Sequence, residues 1–304
     1  MKLQTTIEIT QPQRLIGIRN RVAFLGSCFA ENIGNRMRQS GMPALVNPFG
    51  VLYNPVSLLH VLTCNPMQDS FYFEDEEGRW HCWLTDSSKN ASSLEACRAA
   101  VLSARGRLFE LNPDTLVITL GTNRCYERGG TAVGNCHKRP QSEFVERSLT
   151  VAQTVEALEA LCDLFPHAQV VLTVSPYRYA KYGFHESRLS KAVLLLAVDE
   201  VCRRRPCQVA YFPAYEIQLD ELRDYRFYAP DMLHPSPQAI DYIWERFVDR
   251  CLDAEAHRYL VDFEPIRKAL MHRPEDMDSP ATARFHEQTR ERFKDLMTKY
   301  NIEP

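Results

Sequence analysis

Five short apolar runs, separated by longer amphipathic stretches, constrain the fold of this chain more than any other feature. The runs are rich in Val, Ile and Leu. A run that is apolar throughout is buried on both faces, which is typical of a strand in a parallel sheet covered by helices. The alternation therefore predicts an α/β fold with a five-stranded, mainly parallel sheet. The predicted strands are residues 21–25, 43–47, 115–120, 169–174 and 208–212.

Helix starts are marked by capping residues. Thr150 and Gln153 have capping-box spacing ahead of an apolar periodic stretch, so a helix is expected to begin there. Ser236 is a suitable N-cap and Pro237 suits the first helical turn. His234 is thereby expected in a fixed loop just before a well-anchored helix.

Two insertions and a charged tail interrupt the α/β pattern. Residues 68–90 contain an acidic run and a turn at Gly78, which predicts a hairpin. A second insertion spans 124–147, with Gly129 and Gly130 between extended residues. We expect residues 1–253 to form one domain and residues 254–304 to form a charged helical extension, which packs on that domain or contacts a second copy.

Composition excludes several classes of protein. The 304 residues are 45% hydrophobic and can bury a full core. A net charge of −3 provides no basic surface, so no nucleic-acid partner is expected. No segment has about 18 uninterrupted apolar residues and the first ten lack signal-peptide features, so we expect a cytoplasmic protein that does not enter a membrane.

Cysteine usage points to reduced thiols. The ten cysteines are scattered through apolar contexts without paired spacing. The pairs His81-Cys82 and Cys136-His137 lack the further ligands that a zinc site needs. The expectation is therefore no metal and no cofactor.

Polar residues follow all five predicted strands. The carboxyl ends of parallel strands meet at one edge of the sheet, where ligands gather. In strand order, the polar or turn residues are Ser27, then Gly50, then Asn123, then Tyr177 and Arg178, and finally Asp231 and His234. These residues are expected at a common site.

Three of these residues offer a Ser-His-Asp set. Ser27 would attack an acyl carbon after His234 accepts its proton, and Asp231 would hold the imidazole in the useful tautomer. Structural roles are open as well: Ser27 as a helix cap, Asp231 as an acceptor for loop amides, and His234 as a buried, satisfied ring. Cys28 is an alternative nucleophile, because a helix N-terminus lowers a thiol pKa.

The sequence resembles the GSCFA family, which itself looks related to SGNH, or GDSL-type, hydrolases. The likeness runs from about residue 24 to 247 and does not include the tail. The segments that carry it are Gly26-Ser27-Cys28-Phe29-Ala30, the stretch 47–55, Asn135-Cys136-His137-Lys138, Ser190-Lys191-Ala192, the stretch 211–216, and the stretch from Asp220 through His234-Pro235.

This resemblance implies a flavodoxin-like three-layer fold and a serine nucleophile at Ser27. It also implies an oxyanion hole made by the Ser27 amide, the Gly50 amide and the Asn123 side chain. Gly50 is equally suited to a turn that needs a positive φ, and Asn123 to capping a loop.

Four further residues are expected to bind substrate. His137 and Lys138 lie in a family-like motif, and His137 is a second candidate base. Tyr177 belongs to a group of aromatic residues that would either stack on a sugar or form part of the hydrophobic core. Arg178 would bind an anionic group, or else pair with the acidic residues at 220 and 221.

The sequence thus predicts a serine esterase or deacylase that acts on a small or carbohydrate-like O-acyl ester, an O-acetyl ester being one candidate. Two alternatives stay open: an O-acyltransferase with the same triad, and a ligand-binding protein without catalysis. Homo-oligomerisation through the C-terminal extension is a further expectation.

Overall fold

A five-stranded parallel sheet forms the centre of the computed structural model, which describes residues 5–272 and 279–302. The strands are β1 (Val22–Gly26), β2 (Leu45–Val46), β3 (Tyr72–Glu74), β4 (Trp80–Cys82), β5 (Thr115–Leu120), β6 (Arg124–Arg128), β7 (Thr131–Val133), β8 (Val145–Ser148), β9 (Gln169–Val174) and β10 (Val209–Tyr211). The helices are α1 (Cys28–Gln39), α2 (Pro55–Thr63), α3 (Leu94–Leu111), α4 (Val151–Leu164), α5 (Phe184–Arg204), α6 (Ala214–Glu216), α7 (Pro237–Cys251), α8 (Ala254–Met271) and α9 (Pro280–Lys299).

The central sheet has the order β10-β9-β5-β1-β2, and all of its neighbouring strands are parallel. Numbered among themselves along the chain, these five strands have the order 2-1-3-4-5, which is that of flavodoxin-like doubly wound folds. The predicted fold class is confirmed. The strand expected over 43–47 is shorter, because Pro43 lacks an N–H and only Leu45 and Val46 pair with β1 at the sheet edge.

Side-chain alternation along the strands divides the core into two layers. Ala23 and Leu25 of β1 belong to a cluster with residues of α2, α3, α4 and α5. Val22 and Phe24 point the other way and belong to a cluster with residues of α1, α7, α8 and α9. Helices therefore cover both faces of the sheet, as the apolar strands require.

The predicted capping residues begin the helices expected of them. Thr150 and Gln153 form both hydrogen bonds of a capping box at the start of α4. Ser236 caps α7, its Oγ accepting from the Ala239 N–H at 3.2 Å, and Pro237 is the first helical residue. These local signals fix where the chain leaves the sheet edge and enters the covering helices.

Both predicted insertions fold as small antiparallel units. Strands β3 and β4 form the expected hairpin, with Gly78 in the turn at φ +74. Strands β6, β7 and β8 form a separate sheet of order β7-β6-β8. Gly129 and Gly130 make its first turn, both at positive φ.

The C-terminal helices α8 and α9 pack on the α1 side of the sheet. Tyr259 of α8 is fully buried and its hydroxyl donates to the Gly41 carbonyl at 3.0 Å. The described part of the tail thus shares the core cluster of β1, while its role as an oligomer contact stays a prediction. None of the helices within residues 5–272 and 279–302 is long and apolar enough to cross a membrane.

Candidate active site

Hydrogen bonds tie the loops at the carboxyl edge of the sheet to one another. The Ser27 N–H donates to the Thr119 carbonyl at 3.0 Å, joining the end of β1 to β5. The Ser175 N–H donates to Leu120 at 2.8 Å, joining the end of β9 to β5. The ring centroids of Tyr177 and His234 are 4.4 Å apart, so the loop after β9 also contacts the loop that precedes α7.

Asp231 and His234 form the expected pair. His234 Nδ1 lies 2.5 Å from Asp231 Oδ2, and both side chains are about half exposed. Asp231 Oδ1 accepts from the N–H groups of Leu233 and His234 at 2.9 and 3.0 Å. The hydrogen bond from His234, together with these amides, lowers the pKa of Asp231 to about 2. The carboxylate therefore stays ionised and leaves Nε2 as the basic atom of the ring.

Arg178 holds the loop that carries this pair. Its N–H donates to the Leu233 carbonyl and its Nη1 to the Met232 carbonyl, each at 3.0 Å. The guanidinium also stacks over Phe184, with its central carbon 4.2 Å from the ring centroid. Arg178 makes no ion pair within the described ranges, so the alternative of pairing with residues 220 and 221 is wrong; its role toward an anionic substrate stays a prediction.

The β1–α1 turn depends on Gly26. Its φ of +126 lies in the region that favours glycine, and a Cβ would stand 2.1 Å from the Thr119 carbonyl oxygen. The Gly26 N–H donates to Asn47 Oδ1 at 2.9 Å. This close approach of two strands brings the following residues, Ser27 and Cys28, to the sheet edge.

Ser27 lies at that edge as the N-cap of α1, one of the structural roles open from the sequence. It is 1% exposed, and its Oγ accepts from the Phe29 N–H at 3.3 Å. Over the described residues, no hydrogen bond joins Ser27 Oγ to His234. The three residues of the predicted triad lie at one edge of the sheet, but the contact expected between Ser27 and His234 is not formed.

The three predicted oxyanion donors are occupied. The Ser27 N–H is bonded to Thr119, and the Gly50 N–H donates to the Asn47 carbonyl at 2.8 Å. Asn123 Nδ2 donates to the Leu149 carbonyl at 2.9 Å. Each of these groups thus has a protein acceptor, and Asn123 Nδ2 carries a second N–H beyond the one bonded to Leu149. The oxyanion role of Ser27, Gly50 and Asn123 stays a prediction.

Gly50 instead serves a turn. It adopts φ +77, and the Asp86 carboxylate fills the space where a Cβ would stand. Asp86 Oδ2 accepts from the Val51 N–H at 2.9 Å and fixes this loop beside β1. The alternative of a turn glycine, which the sequence left open, describes its observed role.

His137 and Lys138 lie in a tight turn, at φ +48 and +59. His137 Nε2 is 2.8 Å from the Cys82 carbonyl, which links the second insertion to β4. Burial lowers the pKa of His137, so the ring is held neutral among aromatic neighbours that include Trp83. This placement favours a structural role for His137; the substrate contacts expected of both residues stay predictions.

Tyr177 starts a row of aromatic rings. Its ring is 5.8 Å from that of Tyr179, which stacks on Tyr182 at 5.5 Å. All three are partly exposed. Trp83 does not join this row, because it is 2% exposed and packs 4.0 Å from Phe73 in the first insertion.

Lys191 is a residue whose role the sequence analysis did not assign. It is 2% exposed, and its Nζ donates to the Gly121 and Ser175 carbonyls at 2.6 and 2.8 Å. Burial lowers its pKa to about 7. The only sequence feature that could have indicated this role was its place in a family-like segment. Helical periodicity alone cannot distinguish a buried lysine from an exposed one.

No group of three or more His, Cys, Asp or Glu side chains is placed to hold a metal ion in the ranges that the structure describes.

Comparison with known proteins places the chain in a family. The GSCFA family model matches residues 21–247. None of the curated proteins compared with the chain matches it. An acetyl xylan esterase, Est2A from the rumen bacterium Butyrivibrio proteoclasticus, has 12% identity and a TM-score of 0.38, covering 76% of this chain and 62% of that one. This chain thus spans less than two thirds of that esterase.

A second solved structure, DHDPS from Cyanidioschyzon merolae with lysine bound, has 11% identity and a TM-score of 0.22, covering 95% of this chain and 100% of that one. Neither likeness is close enough to carry a functional argument. The family model, in contrast, matches well over half of the chain, including the β1–α1 turn and the Asp231–His234 loop. The chain belongs to the GSCFA family.

Proposed function

We propose that this protein cleaves O-acyl esters through a covalent acyl-enzyme intermediate, with His234 as the general base. The observation that carries the proposal is the 2.5 Å contact between His234 Nδ1 and Asp231 Oδ2, at the edge where the β1–α1 turn also ends. A base oriented by a carboxylate, beside a nucleophile at a helix N-terminus, is the arrangement that acyl transfer needs.

Each member of the pair has a distinct task. Asp231 fixes the tautomer with the proton on Nδ1, so Nε2 can accept a proton from the nucleophile. When the ring becomes an imidazolium, the ionised Asp231 stabilises its charge. The nucleophile comes from the head of α1, where the sequence predicts Ser27 and where Cys28 lies beside it.

The surrounding residues favour a polar substrate with flat apolar faces. Tyr177, Tyr179 and Tyr182 present partly exposed rings in a row, and Tyr177 contacts His234 directly. Rings of this kind pack on the faces of sugars while their hydroxyls bind sugar hydroxyls. A carbohydrate carrying an O-acetyl group is the substrate class that these residues suit.

Hydrolysis of p-nitrophenyl acetate and of acetylated xylo-oligosaccharides tests the proposal. His234→Ala is expected to lower kcat/KM by about 10²–10⁴-fold, the usual contribution of a general base. The matched control is His167→Ala, an exposed histidine after α4 that should leave activity unchanged. Full activity in His234→Ala, or no ester turnover by the unaltered protein, would refute the proposal.

The same assay separates hydrolysis from transfer. Adding a sugar alcohol that competes with water diverts the acyl group to a new ester if the enzyme is a transferase. Product analysis should show free acetate as the main product for an esterase and the acylated alcohol for a transferase.

A further inference from the structure

The backbone N–H and carbonyl of Ser27, and its Oγ as an acceptor, all help to hold the fold. Its N–H donates to Thr119, its carbonyl accepts from the Ala30 N–H at 2.9 Å, and its Oγ caps the Phe29 N–H. At 1% exposure, the hydroxyl has almost no surface from which to meet a substrate. Ser27 has the environment of a structural N-cap.

Cys28, the next residue, has the opposite environment. It is the first residue of α1 and is partly exposed. Within the described residues its N–H donates to no other residue, as expected for the first turn of a helix. A free N–H at the positive end of a helix is a donor suited to a developing oxyanion.

Cys28 lies at the same edge of the sheet as the Asp231–His234 pair. It follows Ser27, whose N–H donates to Thr119 near the carboxyl end of β5. Tyr177 follows β9 at this edge, and its ring packs 4.4 Å from that of His234. Burial raises the pKa of the Tyr177 hydroxyl, and smaller electrostatic effects of Asp231 and Cys28 on it agree with this placement.

The thiol needs a base in this setting. Burial raises the pKa of Cys28, while the Lys191 ammonium and the N–H groups of Cys28 and Phe29 lower it. Because the net shift is upward, the group is a thiol at neutral pH and must lose its proton during attack. His234 Nε2 is the available acceptor.

We propose that Cys28, not Ser27, is the nucleophile of this site, and that the Cys28 N–H stabilises the oxyanion. The inference rests on the proposed ester cleavage. No hydrogen bond joins Cys28 to His234 in the described part of the free protein, and such contacts often tighten only when substrate binds.

The reaction proceeds in two balanced halves. His234 accepts the thiol proton as Sγ bonds to the acyl carbon, the C–O bond of the ester breaks, and the departing alkoxide takes that proton from the imidazolium. In the second half, water gives a proton to His234 and its oxygen bonds to the thioester carbon. The C–S bond breaks, the carboxylic acid leaves, and the thiolate recovers its proton.

Matched substitutions test this assignment. Cys28→Ala should lower kcat/KM for p-nitrophenyl acetate by at least about 100-fold, while Ser27→Ala should stay within about 5-fold of the unaltered protein. Cys207→Ala, which removes an exposed cysteine, is the control for general thiol effects. Melting temperatures of all variants show whether the loss of the Ser27 cap has merely unfolded the chain.

Trapping the intermediate gives an independent readout. Acid quenching during turnover should leave one acetyl group on the peptide that carries Cys28, and neutral hydroxylamine should remove it as a thioester. Ser27→Ala should still become acetylated, whereas Cys28→Ala should not. An intermediate that forms in Cys28→Ala but not in a folded Ser27→Ala would overturn the inference and leave the proposed function standing.

The two proposals can fail separately. Activity that survives both substitutions yet is lost in His234→Ala would overturn the inference and the covalent step of the proposed function, because water would then attack directly, and would leave ester cleavage with His234 as the base. Absence of both acetylation and ester turnover in the unaltered protein would overturn both proposals together.

Discussion

Replacing Lys191 by methionine should change how the stability of the protein depends on pH. The Lys191 side chain is 2% exposed and is bonded to the Gly121 and Ser175 carbonyls. Burial lowers its pKa from 10.5 to about 7. Between these values the unfolded chain binds more protons at this group than the folded chain, so stability rises with pH.

The magnitude follows from the two pKa values. Because the unfolded chain binds protons at this amine more tightly than the folded chain, the group destabilises the folded state by about 4 kcal/mol at pH 7 and about 2 kcal/mol at pH 9. The unaltered protein should therefore gain about 2 kcal/mol over this interval from Lys191 alone. Methionine abolishes this gain.

The variant itself should fold. Removing the amine leaves two carbonyls without donors, at a cost of about 1–3 kcal/mol each. This cost is similar in size to the destabilisation by Lys191 that the substitution removes at pH 7. Lys191→Gln, which is neutral but retains N–H donors, is a second variant with the same expected loss of pH dependence.

Urea denaturation at pH 7, 8 and 9 measures the effect as a difference between proteins. Burial raises the pKa values of thiols such as Cys82 and Cys162 to about 12, so these thiols lower stability at high pH. The effect is the same in the unaltered protein and in the Lys191 variants, and it cancels when their stabilities are subtracted. A stability gap between the unaltered protein and Lys191→Met that is constant from pH 7 to 9 would refute the reasoning.

Four other substitutions have defined outcomes. Asp231→Asn should reduce kcat for ester cleavage by up to about 10⁴-fold, because His234 loses its tautomer, and an unchanged kcat would contradict the assigned orientation. Gly26→Ala should cost more than about 3 kcal/mol in unfolding free energy, since its Cβ would stand 2.1 Å from a carbonyl oxygen. Gly129→Ala, with φ +58 and nothing within 4 Å of its Cβ, should cost only about 1 kcal/mol, and equal losses for the two glycines would refute the steric argument. Thr150→Ala should cost about 1 kcal/mol by removing the capping box of α4, and an unchanged urea midpoint would exclude a stabilising cap.

The layers of the fold could be predicted because each strand of the sheet has a strong local signal. The interior strands β5 and β9 have the predicted bounds of 115–120 and 169–174, since buried parallel strands are apolar throughout. The edge strand β2 is shorter than predicted, because only Leu45 and Val46 pair with β1. Edge pairing depends on the neighbour, which the sequence does not reveal.

The candidate site also combines local contacts, which the sequence could indicate, with long-range contacts, which it could not. The Asp231–His234 contact spans three residues within a single turn, so the sequence could indicate it. The acceptors of two predicted oxyanion donors could not be foreseen, because they are distant in sequence: the Ser27 N–H bonds to Thr119 and the Asn123 side chain to Leu149. The burial of Lys191 could not be predicted for the same reason, since the carbonyls that accept from it lie after two other strands.

The sequence alone determined the alternation of strands and helices, the helix caps and the Asp231–His234 pair, because each arises from residues close together in the chain. The tertiary structure decided which of two adjacent backbone amides at the head of α1 is bonded. Ser27 and Cys28 share the same local sequence signals, but the Ser27 N–H donates to the Thr119 carbonyl on the neighbouring strand, whereas the Cys28 N–H donates to no other residue in the described part of the chain. Hydrogen-bond partners from distant segments, which no local pattern contains, make that difference.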